Sequence, residues 1–394
     1  MAKTKHFGAL AAAVGALLAV ALLVLMLVLV NPQTAGAALP GTNGRIAYAG
    51  YVPGRLDLEI FTISATGGTP SQLTDNLTND FSPCYSPDGN TIGYIGPTAS
   101  GDQIFTNQIF TMPDTGGQRQ QVTPDTVDNP GACSFTGPRG THIVYYAPSG
   151  GRPSKIFTIL VPVPGAPPGT PDQVTSISDG LAPSFTAVGK RIAYSGSERT
   201  GGDLEIFTAP ATGGTPSQLT DNSTEDLDPD YSPDGSRIVY THPDGDGDRE
   251  IFTISATGGT PRQLTNNGTT DQWPVYSPDG SRIAYSSNDG GDFEIFTMPA
   301  TGGQRQQVTF NSTDDIQPSW QPRPAANGTK VPEVVGFSSS GAGRAIRNAG
   351  LVPKFTGDPQ GANAWVVSQS PSAGTLVDPG STVTCRLTNK GDPF

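Results

Sequence analysis

Carboxylates are the side chains whose spacing most invites chemistry in this 394-residue chain. Asp244-Gly245-Asp246-Gly247-Asp248 alternates three acids with glycine, a pattern that can turn several hard oxygen ligands toward one cation such as Ca2+. It departs from the full calcium-loop pattern: Arg249 stands where a glycine would follow, and Ser255 where a distal glutamate would. Two more sets of acids recur in register. Asp57, Asp203, Asp248 and Asp292 each lie two residues before the glutamate of a Glu-Ile-Phe or Arg-Glu-Ile-Phe segment, and Asp80, Asp226, Asp271 and Asp315 each lie five residues before an aromatic residue. Such aspartates have two readings. Each can cap its own loop by accepting backbone N–H groups, or together they can form an electronegative funnel that holds Ca2+ or a basic peptide.

Nucleophilic and redox chemistry find less support. The histidines are His6, His142 and His242, far apart in the chain. Gly336-Phe337-Ser338-Ser339-Ser340-Gly341 has the wrong spacing for a nucleophile elbow, and Gly341-Ala342-Gly343 lacks the strand-turn-helix context of a dinucleotide fingerprint. Cys84, Cys133 and Cys385 are an odd count at wide, irregular spacing, so at least one thiol is unpaired and no metal or CxxC signature arises; they read as small buried hydrophobes. The Asn-x-Ser/Thr sequons, including Asn222 and Asn311, read as chance in so threonine-rich a chain.

The elements that position these residues are set by repetition. Ile46-Ala47-Tyr48 recurs at Tyr94, Tyr145, Tyr194, Tyr240 and Tyr285, at steps of 45 to 51 residues. An Ile-Phe segment ends at Phe61, Phe110, Phe157, Phe207, Phe252 and Phe296; a Gln-led segment starts at Gln72, Gln121, Gln173, Gln218, Gln263 and Gln307; a fourth ends at Tyr85, Phe135, Phe185, Tyr231, Tyr276 and Trp320. Pro87-Asp88-Gly89, Pro233-Asp234-Gly235 and Pro278-Asp279-Gly280 supply hairpin turns, as do Gly-Gly pairs such as Gly67-Gly68 and Gly302-Gly303. Four short strands per unit, repeated six times, predict an all-β, six-bladed propeller. The first unit lacks its first strand and Gln317 to Trp320 are surplus at the end, so this C-terminal strand is expected to close the ring. The tight turns then share one end of the ring and the longer loops the other.

Composition agrees with that architecture. Fifty glycines and 37 prolines make the chain turn-rich, and only 15% of residues are charged. Residues 41–329 carry a formal charge of −16, which repels phosphate backbones and excludes nucleic acid while favouring cations or basic partners. Lys3 and Lys5 precede an uncharged apolar run, Gly8 to Val30, long enough to cross a bilayer as a helix. Ala35-Gly36-Ala37 reads as a small-x-small cleavage site, so residues 1–40 are either a cleaved signal or a retained anchor, with membrane contact only through residues 7–30 if uncleaved. Both readings export the remainder.

The pattern Tyr-Ser-Pro-Asp-Gly-Ser-Arg-Ile-Ala-Tyr, then Glu-Ile-Phe-Thr, Gly-Gly and Gln-Leu-Thr, resembles the TolB-like propeller repeat over residues 41–322. The third unit departs, with Thr136-Gly137-Pro138-Arg139-Gly140 in the turn and a proline-rich insert from Val161 to Pro171. After a linker at 323–330, residues 331–388 read as a small α+β module: a strand over Val331–Gly336, a helix from Ser340 to Asn348, and strands over Leu351–Phe355, Trp365–Gln369 and Thr382–Leu387, with Val383, Cys385 and Leu387 inward. Val-Pro-x-Val-Val-Gly, Ala349-Gly350-Leu351, Val367 to Gly374 and Gly380 to Val383 resemble a PASTA domain. The resemblance implies association with bacterial peptidoglycan. Trp365 with Arg344 or Arg347 would offer stacking and hydrogen bonds to a sugar or peptide stem. Together the readings give an exported, non-enzymatic binding or scaffolding protein of the cell envelope, with envelope proteins or basic peptides on the loop end. The rival is a metal-dependent propeller lyase or hydrolase, which would need His142 or His242 to converge with acids there.

Overall fold

Each repeat becomes one antiparallel sheet because its apolar segments alternate with turn residues of fixed geometry. A computed structural model describes residues 42–389, apart from 100–104, 128–129, 137–140, 149–153, 176–178, 188, 199–201, 324–328, 358–363, 371–372, 374–375 and 378–381. The apolar run at 8–30 and the Ala35 site lie outside the described residues; among the described residues no helix is long and apolar enough to cross a membrane. The chain divides into two units between Pro322 and Arg323.

The first unit is a ring of six four-stranded sheets. Blade 1 is built from both ends of the propeller: Asp315–Arg323 pairs with Thr42–Tyr51, which pairs with Leu58–Ser64 and then Ser71–Gln72. The sequence-predicted closure is therefore present, clasped by the backbone N–H of Tyr51 donating to the Asp314 carbonyl (3.2 Å) and that of Arg45 to Gln321 Oε1 (3.2 Å). Blades 2 to 6 begin at Phe81–Tyr85, Gly131–Thr136, Asp179–Phe185, Leu227–Tyr231 and Asp271–Tyr276. The first strands of blades 2 to 6 pack on one another in succession, and that of blade 1 joins blade 2 where the Ser82 and Tyr85 N–H groups donate to Gln317 Oε1 and Ser319 Oγ.

The repeated motifs have local causes. On the second and third strands, Tyr48 stacks on Phe61 (5.6 Å between ring centres), and Tyr94, Tyr145, Tyr194 and Tyr285 stack on their own phenylalanines in the same way. Burying such side chains contributes about 1.5–3 kcal/mol each. In the tight turns the Gly89 N–H donates to the Ser86 carbonyl (2.9 Å) with Gly89 at φ +70°, a left-handed geometry that glycine adopts freely. The fourth strand is only two residues long, as at Ser71–Gln72. A threonine just beyond it then takes over the ladder. The hydroxyls of Thr74, Thr123, Thr175, Thr220, Thr265 and Thr309 accept the N–H groups of Ile60, Ile109, Ile156, Ile206, Ile251 and Ile295 at 2.8 to 3.1 Å. Each first strand carries one left-handed residue (Ser82, Ala132, Ala182, Asp228, Trp273, Gln317; φ 50–59°), at a break in the strand register wherever the pairing is defined. This is a β-bulge repeated at every blade.

The second unit has its own core of Val331, Val334, Ala342, Ile346, Leu351, Val366, Val383, Cys385 and Leu387. Helix α1 spans Ser339–Asn348, with the Ser338 side chain accepting the Gly341 N–H as N-cap. Val352–Thr356, Thr382–Asn389 and Ala364–Ser370 form a three-stranded sheet with the Thr382–Asn389 strand in the centre, parallel to the first and antiparallel to the last. Val331–Gly336 is not the strand its pattern suggested. Strand pairing falls on Thr329–Lys330 with Leu376–Val377, and the Val334 N–H is taken by Gln369 Oε1 (2.8 Å).

Candidate functional site

The repeated acids meet at the joints between blades. Glu59, on the third strand of blade 1, accepts the backbone N–H of Asn76 at Oε1 (2.6 Å). The Asn76 side chain donates to Glu59 Oε2 (3.4 Å) and to Asp80 Oδ2 (2.7 Å), just ahead of the first strand of blade 2. Its own Oδ1 accepts the N–H of Thr78 (2.9 Å). The Asp80 N–H donates to the Leu58 carbonyl (2.7 Å). Matching Glu-Asn-Asp clasps occur at Glu205-Asn222-Asp226, Glu250-Asn267-Asp271 and Glu294-Asn311-Asp315, where the asparagine N–H reaches the glutamate at 2.5 to 2.6 Å. Four of the six joints are built this way.

Asp80, Asp226, Asp271 and Asp315 are thus at most 3% exposed and hold blades together; they do not line an open funnel. Each does more than cap its own loop, because one oxygen bonds the asparagine that also bonds the preceding blade. Burial pushes Glu59 up to about 7 and Asp80 up to about 6, and it raises Asp271 as well. Asp315 is raised by burial and then by the charge of Glu294. The other Asp80 oxygen lies against Gly96, where a Cβ would stand 2.3 Å from it; Gly50 faces Asp315 in the same way at 2.5 Å. Asn76 and Asn267 are the residues sequence reasoning passed over, and it read Asn222 and Asn311 only as sequons. Asn222 and Asn311 are structural clasps rather than chance sequons, and the fourfold Asn-x-Thr-x-Asp spacing was the signal.

The two remaining joints differ. Between blades 2 and 3, Gln108 and Pro130 replace the acids; Gln108 accepts from Thr123 Oγ1 (2.6 Å) and donates to the Val127 carbonyl (2.9 Å). Here Cys84 and Cys133 form a disulfide with Cα atoms 5.9 Å apart, so these two are not simple buried thiols. Cys84 occupies the place just before the first-strand aromatic. At that place Ser319 accepts the Tyr85 N–H (3.1 Å), Ser184 donates to Asp230 (3.0 Å) and Asp230 accepts the Tyr276 N–H (2.8 Å), each across a blade boundary. The disulfide is the covalent version of that clasp. The 49-residue separation is one repeat, and this was the signal. Cys385 is a buried free thiol, its pKa raised by that burial. Between blades 3 and 4, Lys155 and Gly180 stand in the acid positions, and the Gly180 N–H donates to the Ser154 carbonyl (2.8 Å).

At the loop end of blade 5, Asp244 Oδ1 accepts the N–H groups of Asp246 (2.8 Å) and Gly247 (3.1 Å), and Asp246 itself is exposed. Asp244, Asp248 and Glu250 each place one oxygen within 4.8 Å of the others. His242 Nδ1 lies 2.5 Å from Asp226 Oδ1. His142 opens its second strand at the tight-turn end, whereas His242 sits near the other end of its own, so the two do not converge. In the second unit Arg344 and Arg347 are exposed on α1, while Trp365 is half-buried and bridges Ser338 at the helix start. The Arg347 guanidinium lies over Gly343, beside Phe355.

A TolB beta propeller domain model matches residues 242–327 and a PASTA domain model matches residues 329–387. The propeller is TolB-like, and the C-terminal module is a PASTA domain. TolB from Acinetobacter baumannii matches with TM-score 0.60 at 21% identity, over 72% of this chain and 68% of that one. A putative TolB from Agrobacterium tumefaciens matches with TM-score 0.54 at 17% identity, over 71% and 92%. Hydrazine synthase from Kuenenia stuttgartiensis matches with TM-score 0.57 at 17% identity, over 73% and 48%. At these identities the likeness speaks for fold alone. No curated protein matches the chain.

Proposed function

We propose that this chain is an exported, non-enzymatic binding or scaffolding protein of the bacterial cell envelope. The observation that carries the reading is the union of a TolB-like propeller and a PASTA domain in one chain. The propeller takes an envelope protein or a basic peptide at its loop end, and its −16 charge favours that class of partner. The PASTA domain associates with peptidoglycan, with Arg344, Arg347 and Trp365 as contacts. The Cys84–Cys133 disulfide fits an oxidising compartment outside the cytoplasm. Of the two histidines only His242 reaches an acid at the loop end, Asp226 (2.5 Å), while His142 stands at the tight-turn end; a single carboxylate-paired histidine with no second one beside it favours binding over the rival lyase or hydrolase reading.

Cosedimentation with purified peptidoglycan tests the division of labour. The full chain should sediment and a chain ending at residue 329 should remain in solution. Binding should be weak, because a single PASTA copy gains no avidity. Sedimentation of both chains alike, or of neither, would remove the wall-binding assignment.

A further inference from the structure

Blade 5 presents its joint glutamate differently from the other three clasps. Glu250 is 0% exposed, its Oε1 accepts the Asn267 N–H (2.6 Å), and its Oε2 has no hydrogen-bond partner. In the matching joints that second oxygen is occupied: Glu59 and Glu205 receive the asparagine side chain (3.4 and 3.2 Å), and Glu294 receives the Thr309 hydroxyl. Asp248 Oδ2 is likewise buried and without a partner. In blade 1 the acids that match Asp248 and Glu250 are Asp57 and Glu59, and there Arg55 neutralises them, reaching Asp75 as well. In blade 5 the cation is replaced by a third carboxylate, Asp244, while Arg249 turns away to Glu225 (3.3 Å).

We propose that Asp244, Asp248 and Glu250 form a Ca2+ site that does for blade 5 what Arg55 does for blade 1. Three converging carboxylates in a half-buried setting repel one another, and a divalent cation relieves that cost. The donors are all oxygens, which suits a hard cation rather than zinc. The glycines at 245 and 247 leave the loop adjustable, which suits the flexible shell of Ca2+ better than the strict octahedron of Mg2+. Backbone carbonyls and water complete such a shell. Asp246, which the alternating pattern included, is replaced by Glu250: its side chain points to solvent and only its N–H serves the loop.

Calorimetric titration of the full chain with CaCl2 tests the site. A dissociation constant of about 10⁻⁴ to 10⁻³ M is expected from so few protein ligands. Asp248→Asn and Glu250→Gln should each weaken it by about tenfold or more, and Asp246→Ala should leave it unchanged within about twofold. If Glu250→Gln does not fold, Asp248→Asn, on the more exposed loop, carries the test alone. Absence of heat up to about 10 mM Ca2+, or an Asp246→Ala loss equal to that of Asp248→Asn, would overturn the proposal.

Discussion

Two joints of the same ring solve one problem with opposite chemistry. Between blades 1 and 2, Glu59, Asn76 and Asp80 bind the sheets with buried, titratable hydrogen bonds. Between blades 2 and 3, the acids give way to Gln108 and Pro130, and Cys84–Cys133 makes the link covalent. The first solution holds in any redox state but depends on pH. The second is indifferent to pH but needs an oxidising surrounding. The difference teaches that in a closed ring each blade boundary can be secured independently, provided none is left open.

The most severe way to break that condition is to remove closure itself. A chain ending at residue 313 lacks the Asp315–Arg323 strand and should lose the cooperative melt of the whole propeller, whereas one ending at residue 329 should keep it. Equal melting of the two would refute closure as the source of cooperativity. Next in size is the covalent joint. Replacing Cys84 and Cys133 together by serine should cost about 2–4 kcal/mol, read by denaturant unfolding under oxidising conditions. The wild type in reductant should fall to the same level.

Smaller effects belong to the carboxylate joints. Asn222→Ala keeps the backbone N–H on Glu205 but strips the side-chain amide from Glu205 Oε2 and Asp226 Oδ2, and should cost about 1–3 kcal/mol, because buried acceptors lose their partners. Gly96→Ala should cost a similar amount, since its Cβ would meet the Asp80 carboxylate at 2.3 Å. Smallest is the pH effect. Glu59 at about 7 and Asp80 at about 6 both sit above their ordinary values of 4.5 and 3.8. The folded state therefore holds protons that the unfolded state has released. Their contribution to stability is complete below about pH 4 and fades as pH rises through 6 to 7. Melting in EDTA should accordingly shift down by a few degrees, on the order of 5 °C, from pH 5 to pH 8. The cysteine-to-serine variant should show the same slope, and a slope abolished in that variant would assign it to the wrong joint.

The ring, its blade count and its closing strand were legible because periodic Tyr, Phe and Pro-Asp-Gly positions encode strands and turns directly. The joints were harder to read. Asp80 and its counterparts looked like loop caps or a funnel because nothing local reveals that Glu59 lies across a blade boundary. The disulfide was hidden by linear spacing and appears only when positions are counted by repeat. The left-handed residues from Ser82 to Gln317 carry no glycine, so no residue type announced the bulge. In the acidic cluster of blade 5 Asp244 and Asp248 were visible, but Glu250 belongs to a strand and reads as part of the Glu-Ile-Phe repeat. The PASTA strand at 331–336 was misplaced because burial of Val331 and Val334 mimics a strand pattern while the backbone bonds go to Gln369 and the loop.

The bond between Arg45 and Gln321 spans 276 residues. Synthesis proceeds from the N-terminus, so the Thr42–Tyr51 strand emerges with one edge unpaired and waits for its partner until every other blade has been made. Loop-closure entropy makes that last pairing the slowest to arrive and the most exposed to mispairing with a neighbouring chain. A propeller built this way is handed over as a ribbon and becomes a ring only on completion. Any pause before residue 315 leaves an adhesive strand edge, and the folding yield of the chain is thereby tied to the arrival of the Asp315–Arg323 strand rather than to the strength of its blades.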